Sequence, residues 1–308
     1  VSSATLTLRR AQTARPNADG HRGFHRRNWS GWLYVVPSLV IMMLIAFTPI
    51  VMSAYLSFTS YDVSTSPKWI GLDNYVVMLR DENFWSALRN TAIFTVIAVP
   101  LQVMIPMLLA DFLANHTGRK FSQIARSVLF IPVVASMVLV GTVWQYMLSP
   151  DGGFFNWVIA KVGMEPQNFL GKPVSALVAV SLVTVWKNIG YFLVLFYAGV
   201  MDIPTEQYEA AKVDGAGGVK RFWHVTVPGL KPVVVLSTIL STIWSFQVFD
   251  IVYSMTGGGP GGATTTIVMS VFQGIRSFDL GYSSAIAMAL LVVVLVVAIV
   301  QRACFRED

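Results

Sequence analysis

Charge is scarce in this sequence. Only 12% of its 308 residues are Asp, Glu, Lys or Arg, against about 25% in an ordinary soluble protein. That deficit cannot cover a water-facing surface, so lipid must be the solvent for much of the chain. Cysteine is scarcer still, and Cys304 alone excludes an internal disulfide or a paired-thiol motif. His21, His25, His116 and His224 are scattered without metal-ligand spacing, so no metal site is expected. The patterns G-x-x-x-x-G-K-[ST], H-E-x-x-H and G-x-S-x-G are all missing. The chain therefore has no motif to cradle nucleotide phosphates, hold a protease zinc or expose a serine nucleophile. The net charge of +6 does not point to nucleic acid, because the basic residues are not interleaved with aromatics on one face.

What is present is apolar: 55% of the residues are hydrophobic and the mean hydropathy is +0.61. A bilayer-spanning helix needs roughly 20 largely apolar residues. Six windows meet that need, at about 31–58, 91–110, 127–149, 174–201, 232–255 and 281–301, and all but the fourth and fifth are free of charge. Pro49, Pro100 and Pro106 fall inside windows and are expected to kink helices. Cytoplasmic segments are enriched in Lys and Arg. With the N-terminus inside, fifteen of the 22 basic residues fall on the inner side, six on the outer side, and Lys187 within a span. The expected fold is therefore an all-α membrane protein with six transmembrane helices and both termini in the cytoplasm. Residues 1–30, with Arg9, Arg10, Arg15, Arg22, Arg26 and Arg27 against Asp19 alone, read as a disordered basic arm rather than a secretory signal peptide. The membrane-spanning body is expected over 31–308.

Between the fourth and fifth windows lies a polar island at 203–228. Pro204 can open a helix, Glu206 sits where the helix dipole favours an anion, and Gly215 after Asp214 is a stop signal. Ala210 and Ala211 allow another backbone to approach closely, with Glu209 and Lys212 at the edge of the same face. By physics alone this is either a docking knob or a helix lying on the bilayer surface.

The order of residues is more specific. Glu209-Ala210-Ala211, three residues, Gly215, nine residues, then Val225-Thr226-Val227-Pro228 resembles the E-A-A motif of permease subunits in binding-protein-dependent ABC importers. Val225 and Val227 stand where that motif has Ile and Leu. The stretches Ile70–Tyr75 and Phe249–Tyr253 with Thr256–Pro260 are similar to sugar-importer permeases of the maltose and glycerol-phosphate type. The resemblance implies that the island is a coupling helix inserted into a cytoplasmic ATPase. Glu209, Ala210, Ala211, Asp214, Gly215 and Pro228 are then the coupling residues. It also implies a second homologous permease subunit, an extracytoplasmic solute-binding protein, a carbohydrate or polyol solute and a prokaryotic cell membrane. ATP and Mg would be used by the ATPase, with no cofactor bound by this chain.

Polar groups inside the spans mark the expected pathway. Lys187 sits mid-span, where an ammonium must face the bundle interior, water or a carboxylate, and Asp250 is the available acid. The pair lines or braces the pathway, or else the lysine stem only bends toward a polar cavity. Asn188, Trp244, Gln247 and Tyr253 suit a hydroxyl-rich ligand, although each also suits helix packing. Gly257, Gly259 and Gly262 fit G-x-G-x-x-G by spacing, but they follow an apolar helix rather than a soluble strand. That run reads as a flexible outer loop open to a solute-binding protein. With no ATP cradle of its own, the chain would draw energy from a separate ATPase. The alternative is an ion-coupled secondary transporter, which usually carries inverted repeats and clustered intramembrane charges; neither is seen here.

Overall fold

The computed structural model describes residues 30–305, so the arm expected at 1–30 lies outside it except for the backbone of Ser30. The chain divides into two compact units, Val1–Pro49 and Ile50–Asp308. In the first, α1 (Ser30–Met42) runs into a π-helical turn at Met43–Phe47, and Thr48 Oγ1 donates to the Met43 carbonyl at 3.2 Å. Next comes α2 (Thr48–Leu56).

In the second unit a small antiparallel hairpin joins β1 (Thr59–Ser60) to β2 (Lys68–Trp69), with Thr59 opposite Trp69. Asn74, on α3 (Asp73–Arg80), pins it by donating Nδ2 to the Ser57 and Thr59 carbonyls, both at 2.9 Å. The long helix α4 (Glu82–Asn115) starts at Asp81, whose carboxylate accepts from the Asn83 N–H at 2.8 Å. This is an N-cap followed by an acid in the first turn. Its 34 residues span about 50 Å, and Pro100 and Pro106 do not interrupt it.

The third window is not one straight span. Here α5 (Arg119–Val134) and α6 (Met137–Met147) meet at a bend of 97°, because Ala135 and Ser136 are extended. After α7 (Phe154–Lys161), α8 (Pro173–Asp202) begins with Pro at its first position, where no N–H is needed. It packs against α4 over the greatest length and also against α5. Gly190 makes the second approach possible, since a Cβ there would overlap the Leu129 carbonyl. Small residues let helices close in this way where no hydrophobic force from water drives them together.

The polar island folds as α9 (Thr205–Val213), α10 (Gly218–Arg221), a π-helical turn at Phe222–Thr226 and α11 (Val227–Gly229). Then α12 (Lys231–Phe246) leaves at 73° to the segment before it. The fifth window also departs from expectation, because its helix stops at Phe246 and α13 (Asp250–Met255) starts afresh. Buried Thr266 Oγ1 donates to the Val248 carbonyl at 2.9 Å, so one carbonyl freed by that break is satisfied. Last come α14 (Ile267–Arg276) and α15 (Leu280–Cys304). Among the described residues four helices are long and apolar enough to cross a membrane, and the two bent pairs raise the number of candidate spans to as many as six.

The glycine run is not the flexible loop expected from composition. Thr264 Oγ1 donates to the Gly259 carbonyl at 2.8 Å, and Asn90 Nδ2 donates to Gly262 and Thr265 carbonyls at 2.9 and 3.0 Å. Thr264 is fully buried. A buried asparagine on α4 therefore ties the loop to the helix bundle.

Candidate functional site: a polar cavity and an exposed elbow

A cavity of about 350 Å³ opens where α8, α12 and the start of α13 face the break between α5 and α6. From α8 it takes Thr184, Lys187, Asn188 and Tyr191, whose i, i+3, i+4, i+7 spacing puts them on one face. From α12 come Trp244 and Ser245; Gln247, Val248 and Phe249 line the gap after it, and Asp250 opens α13. Gln102 enters from α4.

Lys187 is only 6% exposed, and its ammonium donates to the Val133 carbonyl at 3.2 Å. That carbonyl lies in the last turn of α5, among the four that have no partner within their own helix. The lysine thus caps a broken helix at its negative end, a placement the helix dipole favours. Asp250 shares the cavity but forms no ion pair with Lys187 within 4 Å. Gln102 Oε1 accepts from Ser241 Oγ at 2.8 Å. Ser245 Oγ is buried in the cavity lining and has no protein partner among the described residues. Tyr191 and Trp244 make one aromatic wall, their ring centroids 4.9 Å apart, and the fully buried Phe192 packs on Trp244 at 5.6 Å from outside the cavity.

Five of the six expected pathway residues therefore meet here. Tyr253 does not, because its ring stacks on Phe249 at 5.5 Å and meets Phe272 edge-on at 5.4 Å. Sequence reasoning missed Gln102, Thr184, Tyr191 and Ser245. The face shared by 184, 187, 188 and 191 was a usable signal; Gln102 had only its polarity inside an apolar window.

The second candidate is the elbow at α9. Glu209, Ala210, Lys212, Asp214, Gly215 and Pro228 are exposed, and Ala211 is half-buried. The helix closes with the Gly215 N–H on the Lys212 carbonyl at 3.0 Å and the Ala216 N–H on the Ala211 carbonyl at 2.9 Å. That double closure needs a left-handed residue, and Gly215 has φ +74°. Val213 at the end of α9, Val219 on α10 and Trp223 in the π-helical turn stand 87%, 75% and 53% exposed. The inner side of the elbow is tied down: Tyr208 OH and Thr226 Oγ1 are 3.0 Å apart, and Thr226 donates to Asp111 Oδ1 at 2.7 Å. This buried carboxylate was also missed from sequence.

Comparison with known proteins gives this geometry its context. Residues 90–306 match the family described as the binding-protein-dependent transport system inner membrane component. The chain is 35% identical over 282 residues to the trehalose/maltose transport system permease protein MalF of Thermococcus litoralis, covering 90% of this chain and 95% of that one. It is 35% identical over 275 residues to the sulfoquinovosyl glycerol transport system permease protein SmoG of Agrobacterium fabrum, covering 85% and 89%. Against the probable ABC transporter permease protein YurN of Bacillus subtilis it is 33% identical over 280 residues, covering 89% and 95%. The fold is similar to a chain in the crystal structure of a bacterial ABC transporter involved in the import of the acidic polysaccharide alginate. There the TM-score is 0.82 at 21% identity, over 91% of this chain and 96% of that chain.

Proposed function

The chain belongs to the family of binding-protein-dependent inner-membrane transport components, and we propose that it is the pore subunit through which a carbohydrate or related polyol is drawn inward. In this reading it has six spans, two of them bent, with both termini and α9 in the cytoplasm. Residues 1–30 are a basic arm and 31–308 the transport body. A separate cytoplasmic ATPase, using ATP and Mg, grips Glu209, Ala210, Ala211, Asp214, Gly215 and Pro228. A second, homologous permease completes the pore, and an extracytoplasmic binding protein delivers the solute. No cofactor is held by this chain.

One observation carries the coupling role: α9 is small and exposed on its outer side, with Val213 bare at its end, yet hydrogen-bonded to the bundle on its inner side. A helix that merely lay in the bilayer surface would turn its apolar side chains to lipid and its charges to water. Here Glu209 and Lys212 are exposed alongside Val213, which shares their face of α9 by its i, i+3, i+4 spacing from Glu209, a mixed face suited to a protein cleft.

The cavity supports the solute class. An aromatic wall stacks on sugar faces, while Lys187, Asn188, Gln247, Asp250 and the unpaired Ser245 hydroxyl meet sugar hydroxyls. Binding of the cognate solute shifts such a carrier between inward- and outward-open states only through different affinities for the two. The ion-coupled alternative finds no support among the relatives.

The test is purification from the native membrane. A Walker-motif subunit should co-elute and be lost on Glu209→Lys, and the associated binding protein should bind sugars from a panel of mono- and disaccharides. Uptake that proceeds with no ATP-hydrolysing protein present would refute the assignment.

A further inference from the structure

Asp111 is a buried carboxylate, 8% exposed, that neither the cavity nor the outer face of the elbow uses. It sits in the last turns of α4 and accepts from two side chains at one oxygen, Thr226 Oγ1 at 2.7 Å and Asn115 Nδ2 at 2.8 Å. Thr226 is fully buried, and Tyr208 OH lies 3.0 Å from the same hydroxyl. With its proton given to Asp111, Thr226 accepts from the tyrosine. The chain of bonds is therefore directed: α9 to the π-helical turn to α4.

The placement has local causes. Tyr208 precedes the exposed Glu209 and Ala210, so it occupies the opposite, bundle-facing side of α9. The π-helical turn buries both of its ends, Phe222 and Thr226. Wider turns of this kind are rare and collect at functional sites. Lys212, Arg221 and His116 line the same small cleft as Asp111, yet none makes an ion pair with it within 4 Å. The carboxylate is held by hydroxyl and amide donors, whose short bonds fix direction as well as distance.

We propose that Asp111, Thr226 and Tyr208 form a clasp that makes α9 and the adjoining end of α4 move as one body, so that a pull on the docking helix reaches the pore rather than being lost as sliding. These are positioning residues, and the idea rests on the reading of α9 as the ATPase-docking helix. Without the clasp, α9 is joined to the bundle by the chain itself and by apolar packing of Tyr208, Phe222 and Ile203, contacts that permit slip.

The experiment uses the whole transporter, purified with its ATPase. In a Cys304→Ser background, spin labels go on Gln207→Cys of α9 and Leu108→Cys of α4, both exposed positions. With the clasp intact, the label-to-label distance stays a single population whether or not ATP is added. Thr226→Val keeps the shape but removes both bonds. It should produce a second population with ATP and lower the binding-protein-stimulated ATPase rate by roughly fivefold or more. Thr226→Ser should restore the single population. Tyr208→Phe added to Thr226→Val should change nothing further, because both bonds run through one hydroxyl.

A purely structural role would lower the yield and melting temperature of Thr226→Val while leaving the distance unimodal with ATP, and that result overturns the proposal. Glu209→Lys is the separate control. If it abolishes ATPase association and Thr226→Val still leaves the distance unchanged, the clasp fails alone. If Glu209→Lys has no effect on association, the docking reading fails and takes the clasp with it.

Discussion

Replacing Lys187 by Met separates the two roles that its position allows. The ammonium is bonded to the Val133 carbonyl at 3.2 Å and faces the cavity. Met is close in length and removes only the charge and its donors. Losing the bond leaves the Val133 carbonyl unpaired, which costs about 1–3 kcal/mol for a buried acceptor. Against this, a buried ammonium carries a desolvation penalty of several kcal/mol, which disappears with the charge. The contributions oppose each other, so stability should shift by no more than about 2 kcal/mol, and folded transporter should still accumulate. Solute binding has no such offset. A hydrogen bond from a charged donor to a sugar hydroxyl is worth about 1.5–3 kcal/mol, so uptake per folded molecule should fall roughly tenfold or more. The assay is sugar uptake into proteoliposomes, normalised to monodisperse complex, with a thermal melt beside it. Unchanged uptake per molecule would leave Lys187 as a helix cap and nothing more. A collapse of folded protein would show that the cap outweighs the charge penalty.

Gly190→Leu should sharply reduce folded protein, since its first side-chain atom would overlap the Leu129 carbonyl; overpacking costs typically 1–3 kcal/mol and backbone offers no give, and normal melting would contradict the close α5–α8 contact. Asn90→Leu removes both donors from the Gly262 and Thr265 carbonyls, so proteolysis or hydrogen exchange in the glycine run should rise, with a loss of about 1–3 kcal/mol. Gly215→Val forces a β-branched residue into φ +74°; ATPase association should weaken while the bundle melts normally, because the strain is confined to the end of α9. Tyr282→Phe deletes the 2.6 Å bond to Asp81 Oδ2, and a melt lowered by about 1.5–3 kcal/mol is expected for a hydrogen bond to a carboxylate.

Composition and hydropathy were enough to place the apolar helices, because lipid solvation demands about 20 consecutive apolar residues whatever the tertiary fold. They could not place the bends. The third window reads as one apolar run through Pro132, Ala135 and Ser136, and no size of turn can be read from them; the partner that makes the break tolerable is distant in sequence, Lys187 of α8, which donates to the Val133 carbonyl. The glycine run was misjudged for a related reason. Glycine predicts local freedom, but the bonds from Asn90 and Thr264 are supplied by a residue about 170 positions away and by the loop's own end. In the cavity, single polar residues on α8 and α12 were legible one by one, whereas Gln102 gained meaning only when α4 packed beside Ser241. In the elbow the start at Pro204 and the stop at Gly215 were legible, since both signals are local. Its anchor was not, because Asp111 and Thr226 are 115 residues apart.

These polar links fall at two levels of one helix. Gln102 binds Ser241 of α12 beside the cavity, and Asp111 binds Thr226 ahead of α12. Nine residues of α4 separate them, roughly 14 Å along its axis. Between them α4 is one helix, running on through Pro106, so a displacement entering at Asp111 is passed along it toward Gln102. There it meets α12, which also receives Gln301 of α15 through Thr242 Oγ1 at 2.8 Å. In a medium where apolar contact gives little preference for one register over another, such side-chain bonds decide which helices move together. Gln102→Leu should therefore leave α9 docked and ATP hydrolysis running while reducing solute moved per ATP. If transport and hydrolysis instead fell in equal proportion, α4 would not be the connecting rod between elbow and cavity.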